Sequence, residues 1–186
     1  MTIISGSATN GNDSIVADQG ADSIKALAGN DTVDSGGGAD SVFAGNGNDL
    51  VYGRGGNDSL SGGAGKDNLL GNGGNDFITG GNGDDRLEGG NGNDTLRGEF
   101  GNDSLYGGQG ADILAIGEGQ DTIYDFVDGS DQILLTNGYT FEDLTIDSRG
   151  FRGAIGTTIS TSDGDIIAEL VGVDPSLITS DDFSFT

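Results

Sequence analysis

The sequence predicts an all-β fold, built as a flattened solenoid, and three observations support this prediction. A nine-residue pattern runs through residues 8–124 in thirteen consecutive copies. Gly accounts for 38 of the 186 residues and Pro for one, so tight turns are frequent and Pro-rich linkers are absent. Only 33% of the residues are hydrophobic and the net charge is −24. A chain of this composition needs something besides an apolar core to stay folded.

Each copy of the repeat has Gly at position 4, Asp at position 6 and an aliphatic residue at position 8. Chance does not produce such a register over thirteen copies. The position-6 residues are Asp13, Asp22, Asp31, Asp40, Asp49, Asp58, Asp67, Asp76, Asp85, Asp94, Asp103, Asp112 and Asp121.

One repeat contains one turn and one short strand. Positions 1–6 are rich in Gly and Asn, which accept a positive φ at little cost, so they predict a tight turn. Positions 7–9 place one apolar residue between two mostly polar ones, which predicts a three-residue strand with its middle side chain inward. Because one coil then needs two repeats, residues 18 apart are expected to be neighbours in a parallel sheet. Residues nine apart are expected on opposite edges.

The aspartates of alternate repeats should therefore stack in two columns. Stacked carboxylates repel one another and resist ionisation unless a cation lies between them. Tight turns also leave carbonyl oxygens without partners. Because His and Cys are absent, the available ligands are all oxygen, which suits Ca²⁺ better than Mg²⁺. Seven turns on one edge and six on the other leave gaps for up to eleven ions, which would nearly neutralise the net charge of −24.

The pattern Gly-Gly-x-Gly-x-Asp-x-aliphatic-x over residues 8–124 resembles the RTX (repeats-in-toxin) calcium-binding nonapeptide. The resemblance implies a right-handed parallel β-roll, and secretion to the exterior or the cell surface by a type I system. It also implies Ca²⁺ held by the position-6 side chains and by turn carbonyls. The candidate carbonyls are those of Gly38, Gly47, Gly56, Gly65, Gly74, Gly83, Gly92, Gly101, Gly110 and Gly119.

The first three repeats depart from this pattern. They open with Ala8-Thr9, Ala17-Asp18 and Ala26-Leu27 in place of Gly-Gly. A carbonyl ligand survives such a change, but the turn conformation is less certain to do so. The resemblance therefore implies calcium sites less directly at the N-terminal end than in the later repeats.

The expected organisation is a lead-in over residues 1–7, a calcium-binding roll over 8–124 and a β cap over 125–186. The nine-residue spacing ends after Tyr124, and an exposed strand edge at the end of the roll needs a cover. Asp125, Asp128 and Asp131 either close one further metal site or are ordinary surface acids.

Within the cap, the pattern of apolar runs and turn residues predicts four strands and two turns. Asp174-Pro175 should begin a short helical turn over 175–179. The tail, 180–186, resembles uncleaved secretion signals because acidic residues precede hydrophobic ones. The strands are expected at 132–135, 143–147, 153–160 and 165–170, and the turns at 148–150 and 162–164.

Composition excludes several functions. Without His or Cys, the chain lacks Ser-His-Asp triads, Cys-His pairs and the usual zinc sites, so no enzyme activity is expected. The strong negative charge argues against nucleic acid and anionic lipid as partners. No apolar run is long enough for a transmembrane segment. The first residues lack the basic and long apolar regions of a cleaved signal peptide.

Two functions fit what remains. The first is a secreted structural or surface module that binds calcium and folds on it. The alternative is a carbohydrate-binding accessory module of a polysaccharide-modifying enzyme, with a polysaccharide as its partner. Tyr52, Leu70, Tyr106 and Tyr124 form an outward stripe that could stack on sugar rings, although cross-strand packing is the simpler interpretation.

Overall fold

A computed structural model describes residues 2–4, 8–136, 138–151 and 154–185. These residues form nineteen strands and three short 3-10 helices, Phe141–Asp143, Pro175–Leu177 and Ser180–Asp182. In chain order the strands are β1 (Thr2–Ile4), β2 (Ser14–Val16), β3 (Asp22–Ala28), β4 (Thr32–Asp34), β5 (Ser41–Asn46), β6 (Leu50–Gly55), β7 (Ser59–Ala64), β8 (Asn68–Gly73), β9 (Phe77–Asn82), β10 (Arg86–Asn91), β11 (Thr95–Phe100), β12 (Ser104–Gln109), β13 (Ile113–Ile116), β14 (Asp121–Ile123), β15 (Gln132–Leu135), β16 (Leu144–Phe151), β17 (Ala154–Thr161), β18 (Ile166–Val171) and β19 (Phe183–Phe185).

The repeats form a parallel β-solenoid of about seven coils, with a sheet on each of its two faces. One sheet has the order β1-β3-β5-β7-β9-β11-β13-β15-β19, and the other has the order β16-β17-β18-β14-β12-β10-β8-β6-β4-β2. Leu60 pairs with Val42 and Ile78, 18 residues before and after it. Repeats nine residues apart lie in opposite sheets, so the predicted two-sided coil is confirmed.

The core is a narrow double row of aliphatic side chains between the sheets. Every position-8 residue, from Ile15 to Ile123, is at most 3% exposed. Ala26 and Ala44 at position 1 are fully buried beside them. Burial of one aliphatic residue per nine gives a thin core for a chain of this length.

The strands are longer than the three residues that the repeat predicts. β5 to β12 each have six residues, covering positions 7–9 of one repeat and positions 1–3 of the next. Gly45 pairs with Gly63, and Asn46 pairs with Ala64, in the same parallel ladder as the apolar residues. The expectation that positions 1–3 belong to the turn is therefore wrong, because their backbone groups pair with the next coil.

The cap covers the C-terminal edge of both sheets. β18 pairs in parallel with β14, and β19 pairs in parallel with β15. β16 and β17 then extend the second sheet in antiparallel fashion.

The predicted strands of the cap are all present, with β15 at the predicted bounds and the others shifted by a few residues. The turn at 162–164 and the helical turn after Asp174 are also present. The turn expected at 148–150 is wrong, because these residues continue β16 as far as Phe151 and pair with β17.

Some expectations fall on residues that the structure does not describe. They are the start of a strand at residue 153, the end of the tail at Thr186, and most of the lead-in. Within the described residues, no helix is long and apolar enough to cross a membrane.

Candidate metal sites

The position-6 aspartates lie in two columns along the edges of the roll. Twelve of them, from Asp22 to Asp121, are at most 3% exposed, and Asp13 is half-buried. Asp131 continues one column after a one-residue insertion and is 4% exposed. The sequence left open whether Asp131 is part of a metal site or an ordinary surface acid. The Asp-x-aliphatic pattern at 131–133 was the signal that it continues the column.

One carboxylate oxygen of each aspartate from Asp31 to Asp121 ties two coils together. The backbone N–H of Asp58 donates to Oδ1 of Asp76 at 2.8 Å, and the N–H of Asp76 donates to Oδ1 of Asp94 at 2.8 Å. The same bond recurs from Asp13 to Asp121, at 2.7–3.0 Å. These bonds satisfy buried backbone donors in the turns.

The other oxygen, Oδ2, is buried and lacks a protein partner in most turns. Among the described residues, ten aspartates from Asp31 to Asp112 have a buried Oδ2 with no hydrogen bond. A buried carboxylate oxygen without a partner is costly. The two columns therefore hold a series of oxygens that lack positive charge.

Carbonyl oxygens lie close to this free carboxylate oxygen. A Cβ added at Gly53 would lie 2.5 Å from Oδ2 of Asp58 and 3.0 Å from the carbonyl oxygen of Gly71. The two oxygens thus converge on one small space, kept open because Gly53 has no side chain. The sequence interpretation missed these position-1 carbonyls, whose only signal was the Gly at position 1 in seven repeats.

The position-4 glycines, which the sequence analysis named as carbonyl ligands, direct their carbonyls along the stack. Gly56 has φ of 127°, and a Cβ there would collide with the carbonyl oxygen of Gly38 in the preceding coil. Equivalent close approaches recur at each candidate position from Gly47 to Gly119. Only Gly therefore fits position 4, and its carbonyl faces the gap between coils.

Burial makes the charged form of these carboxyls unfavourable. Desolvation raises the pKa of Asp58 and Asp94 to about 6, and the pKa of Asp85 and Asp121 to about 7. Hydrogen bonds from backbone N–H groups oppose the shift, and neighbouring carboxylates in the column add to it. At neutral pH the turns would be stabilised by a cation that replaces the lost solvation.

At three of the column ends, the protein itself supplies a hydrogen-bond donor to Oδ2. Oδ2 of Asp13 accepts the N–H of Thr9 at 2.6 Å, and Oδ2 of Asp131 accepts the N–H of Val127 at 2.8 Å. Oδ2 of Asp121 accepts the N–H of Gly117 at 3.1 Å. In these three aspartates, a backbone N–H four residues upstream bonds to Oδ2. The described aspartates in the middle of the columns lack such a donor.

The two further acids at the end of the roll differ from Asp131. Asp125 is half-buried and accepts the backbone N–H groups of Gly107 and Gly108. Asp128 is exposed. Within the part of the chain that the structure describes, no three acidic side chains meet at one point. A site in the turns therefore combines carboxylate and carbonyl oxygens, the ligand set of a hard cation such as Ca²⁺.

Comparison with known families identifies the repeat. The model of the RTX calcium-binding nonapeptide repeat matches four times, at residues 7–42, 35–69, 61–96 and 88–123. The chain belongs to the RTX calcium-binding nonapeptide repeat family. Repeats of this family bind calcium. The matching model describes a repeat and indicates no catalytic family.

Three solved structures share similarity with this RTX chain. The extracellular lipase LipA from Serratia marcescens is 15% identical with a TM-score of 0.33, over 96% of this chain and 39% of the lipase. The AlgE6R2 and AlgE6R3 subunits of the Azotobacter vinelandii mannuronan C5-epimerase are 24% and 20% identical, with TM-scores of 0.44 and 0.33. The match to AlgE6R2 covers 75% of this chain and 88% of that subunit. The match to AlgE6R3 covers 97% of this chain and 81% of that subunit. The chain thus spans about two fifths of the lipase, and no curated protein matches it.

The outward tyrosine stripe is packed within its own sheet. The rings of Tyr106 and Tyr124 stack with centroids 4.6 Å apart and planes 3° from parallel. The guanidinium of Arg86 lies over Tyr106 at 3.9 Å, and that of Arg54 lies over Tyr52 at 4.7 Å. The contacts of Tyr106 run across the sheet, as cross-strand packing predicts, whereas Arg54 and Tyr52 belong to the same strand, β6. The polysaccharide alternative gains no support from this face.

Proposed function

We propose that the chain is a calcium-dependent structural module that binds several Ca²⁺ ions in its stacked turns and folds on binding them. The observation that carries this proposal is the series of ten buried Oδ2 atoms without hydrogen bonds, from Asp31 to Asp112. With a net charge of −24 and a thin core, chain entropy and self-repulsion oppose folding in the absence of cations. Metal binding then contributes directly to the free energy of folding.

The ligands in this proposal are the position-6 carboxylates together with carbonyls at positions 1 and 4. Oδ1 stays bonded to the backbone of the preceding coil and fixes the orientation of the carboxylate. Oδ2 faces the gap, where the carbonyl of a later coil also points. Calcium supplies the positive charge that these buried oxygens lack and accepts the irregular geometry of carbonyl ligands.

A circular-dichroism titration tests this proposal. In EGTA the chain should be largely disordered, and added Ca²⁺ should produce β structure cooperatively, with a midpoint of about 10⁻⁴–10⁻³ M, as in extracellular modules. The same concentration of Mg²⁺ serves as the control and should have a smaller effect. A chain that is fully folded in EGTA would contradict the proposal.

We also propose that residues 8–124 act as the calcium-binding roll and 125–186 as its cap, in a protein exported by a type I system. The support is the place where the nine-residue spacing ends and the family to which the repeats belong. Low cytoplasmic Ca²⁺ would keep such a chain unfolded until it leaves the cell. Expression with and without a type I exporter tests this, and an equal distribution between cells and medium in both strains would overturn it.

A further inference from the structure

Position 1 of the repeat divides the roll into two unlike parts. Repeats six to twelve have Gly at this position, whereas the first five repeats have Ala8, Ala17, Ala26, Ser35 and Ala44, and the last repeat has Ile116. The position-1 glycines are Gly53, Gly62, Gly71, Gly80, Gly89, Gly98 and Gly107.

In the glycine turns, the missing side chain leaves a space that oxygens face. A Cβ at any of the seven glycines would collide with Oδ2 of the aspartate five residues later. At Gly53, Gly62, Gly71 and Gly89, the carbonyl of the position-1 residue two repeats on faces the same space. This carbonyl would lie 2.8 Å from a Cβ at Gly62 and 2.7 Å from one at Gly71. In these four turns, one charged carboxylate oxygen and one neutral carbonyl oxygen border the space.

In the first five repeats, a side chain already occupies this space. Ala26 and Ala44 are fully buried and belong to the hydrophobic core. The hydroxyl of Ser35 donates to the carbonyl of Gly53 at 3.0 Å. Gly53 is the position-1 residue two repeats after Ser35. In the later turns, the equivalent carbonyl faces Oδ2 of the aspartate, which here is Asp40. Methyl and hydroxyl groups therefore occupy the space that the later turns leave empty beside Oδ2.

The carboxylates alone do not distinguish the two parts. Oδ2 of Asp31, Asp40 and Asp49 is buried without a hydrogen bond, as in the later repeats. What differs is the room beside that oxygen. An ion with six to eight oxygen ligands needs both the room and the carbonyl.

We propose that the residue at position 1 selects which turns take Ca²⁺, so that the seven turns with Gly there bind one ion each and the turns with a side chain there bind none. This inference rests on the proposed calcium-binding function. Seven ions would neutralise 14 of the 24 net negative charges, fewer than the eleven ions expected from the aspartate columns alone. The first five repeats then form a metal-free part of the solenoid that side-chain packing holds together. The calcium-binding turns stack onto this part.

Three single substitutions in the full chain test the proposal by counting bound Ca²⁺ with equilibrium dialysis and native mass spectrometry. Gly71→Ala should close one space and remove one ion. Ala44→Gly should open the space beside Asp49 and add one. Gly73→Ala, in the same strand as Gly71, is the matched control. Its Cβ would meet only a carbonyl at 3.6 Å, an ordinary contact.

The expected counts are about seven ions for the unchanged chain and for Gly73→Ala, six for Gly71→Ala and eight for Ala44→Gly. Eleven ions in the unchanged chain, or no change in either Gly71→Ala or Ala44→Gly, would overturn the proposal while leaving calcium binding intact. No bound Ca²⁺ in any chain would instead refute the proposed function. If Gly71→Ala fails to fold by circular dichroism, Ala44→Gly decides the question alone.

Discussion

At the scale of single residues, the two oxygens of the position-6 carboxylates from Asp31 to Asp112 have different surroundings. In Asp76, Oδ1 accepts the backbone N–H of Asp58 at 2.8 Å, whereas Oδ2 has no hydrogen bond. The first oxygen links consecutive coils whether or not metal is present. The second oxygen is useful only to a cation. One side chain therefore contributes both to the stack and to the proposed metal site.

Replacing Asp76 by Ala should harm the protein more than replacing Asp13. Asp76→Ala leaves the buried N–H of Asp58 without an acceptor, at a cost of about 1–3 kcal/mol, and removes at least one ion. Asp13 is half-buried and bonds to Thr9 of its own repeat, so Asp13→Ala should only fray one end. Melting temperatures in saturating Ca²⁺ and calorimetric ion counts would compare the two variants. Equal losses would contradict the different roles assigned to the two residues.

The raised pKa values predict how the metal-free chain responds to pH. The pKa of Asp85 is about 7 and that of Asp94 about 6 in the fold, above the value near 3.8 of a free Asp, because burial disfavours the charged form. Protons therefore bind the folded state more tightly. This contribution to stability is complete below the unfolded pKa and is lost as pH rises through about 6–7.

Acidification from pH 8 to pH 5 should therefore increase β structure in the metal-free chain and weaken its affinity for Ca²⁺. Circular dichroism of the chelator-dialysed protein at several pH values measures the first effect. Asp85→Asn mimics the protonated side chain, so this variant should gain less structure on acidification. A metal-free chain that loses β structure between pH 8 and pH 5 would refute the expected direction.

At the scale of elements, the repeat predicts the positions of the strands better than it predicts their lengths. The aliphatic residue every nine positions identifies each strand, and Leu60 and Leu69 lie where the pattern puts them. Positions 1–3 were interpreted as turn because Gly and Asn dominate them. Their pairing with the next coil depends on neighbouring chain segments, which local composition does not report. The one-residue insertion before Asp131 similarly hides a further coil from a strict nine-residue spacing.

Position 2 offers a test of backbone strain inside the strands. Glu99 has φ of 73° within β11, a conformation that costs a residue with a side chain about 1 kcal/mol or more. Its side chain is exposed. Glu99→Gly should therefore be about 0.5–1 kcal/mol more stable than Glu99→Ala, which removes the same charge but keeps Cβ. Denaturant unfolding in saturating Ca²⁺ makes the comparison, and an Ala variant as stable as the Gly variant would rule out strain at this position.

At the scale of the whole molecule, stability passes from coil to coil, because each coil contacts mainly the next. The C-terminal edges of the two sheets are covered by β18 and β19, which pair with β14 and β15. An uncovered edge would expose backbone groups to pairing with other chains. The last residues of the described chain thus belong to the fold, whatever role the tail has in export.

The contribution of β19 can be measured by comparing its two phenylalanines. Phe183 is 6% exposed, belongs to the core and lies against Phe141 with ring centroids 5.3 Å apart. Phe185 is 48% exposed. Phe183→Ala should cost about 3 kcal/mol or more, because it empties a buried site and loosens the strand that covers β15. Phe185→Ala should cost less than about 1 kcal/mol, since surface substitutions rarely cost more. Unfolding in saturating Ca²⁺ would give both values, and light scattering would detect association through an uncovered edge. If Phe183→Ala neither destabilises the chain more than Phe185→Ala nor promotes association, the cap does not protect the roll.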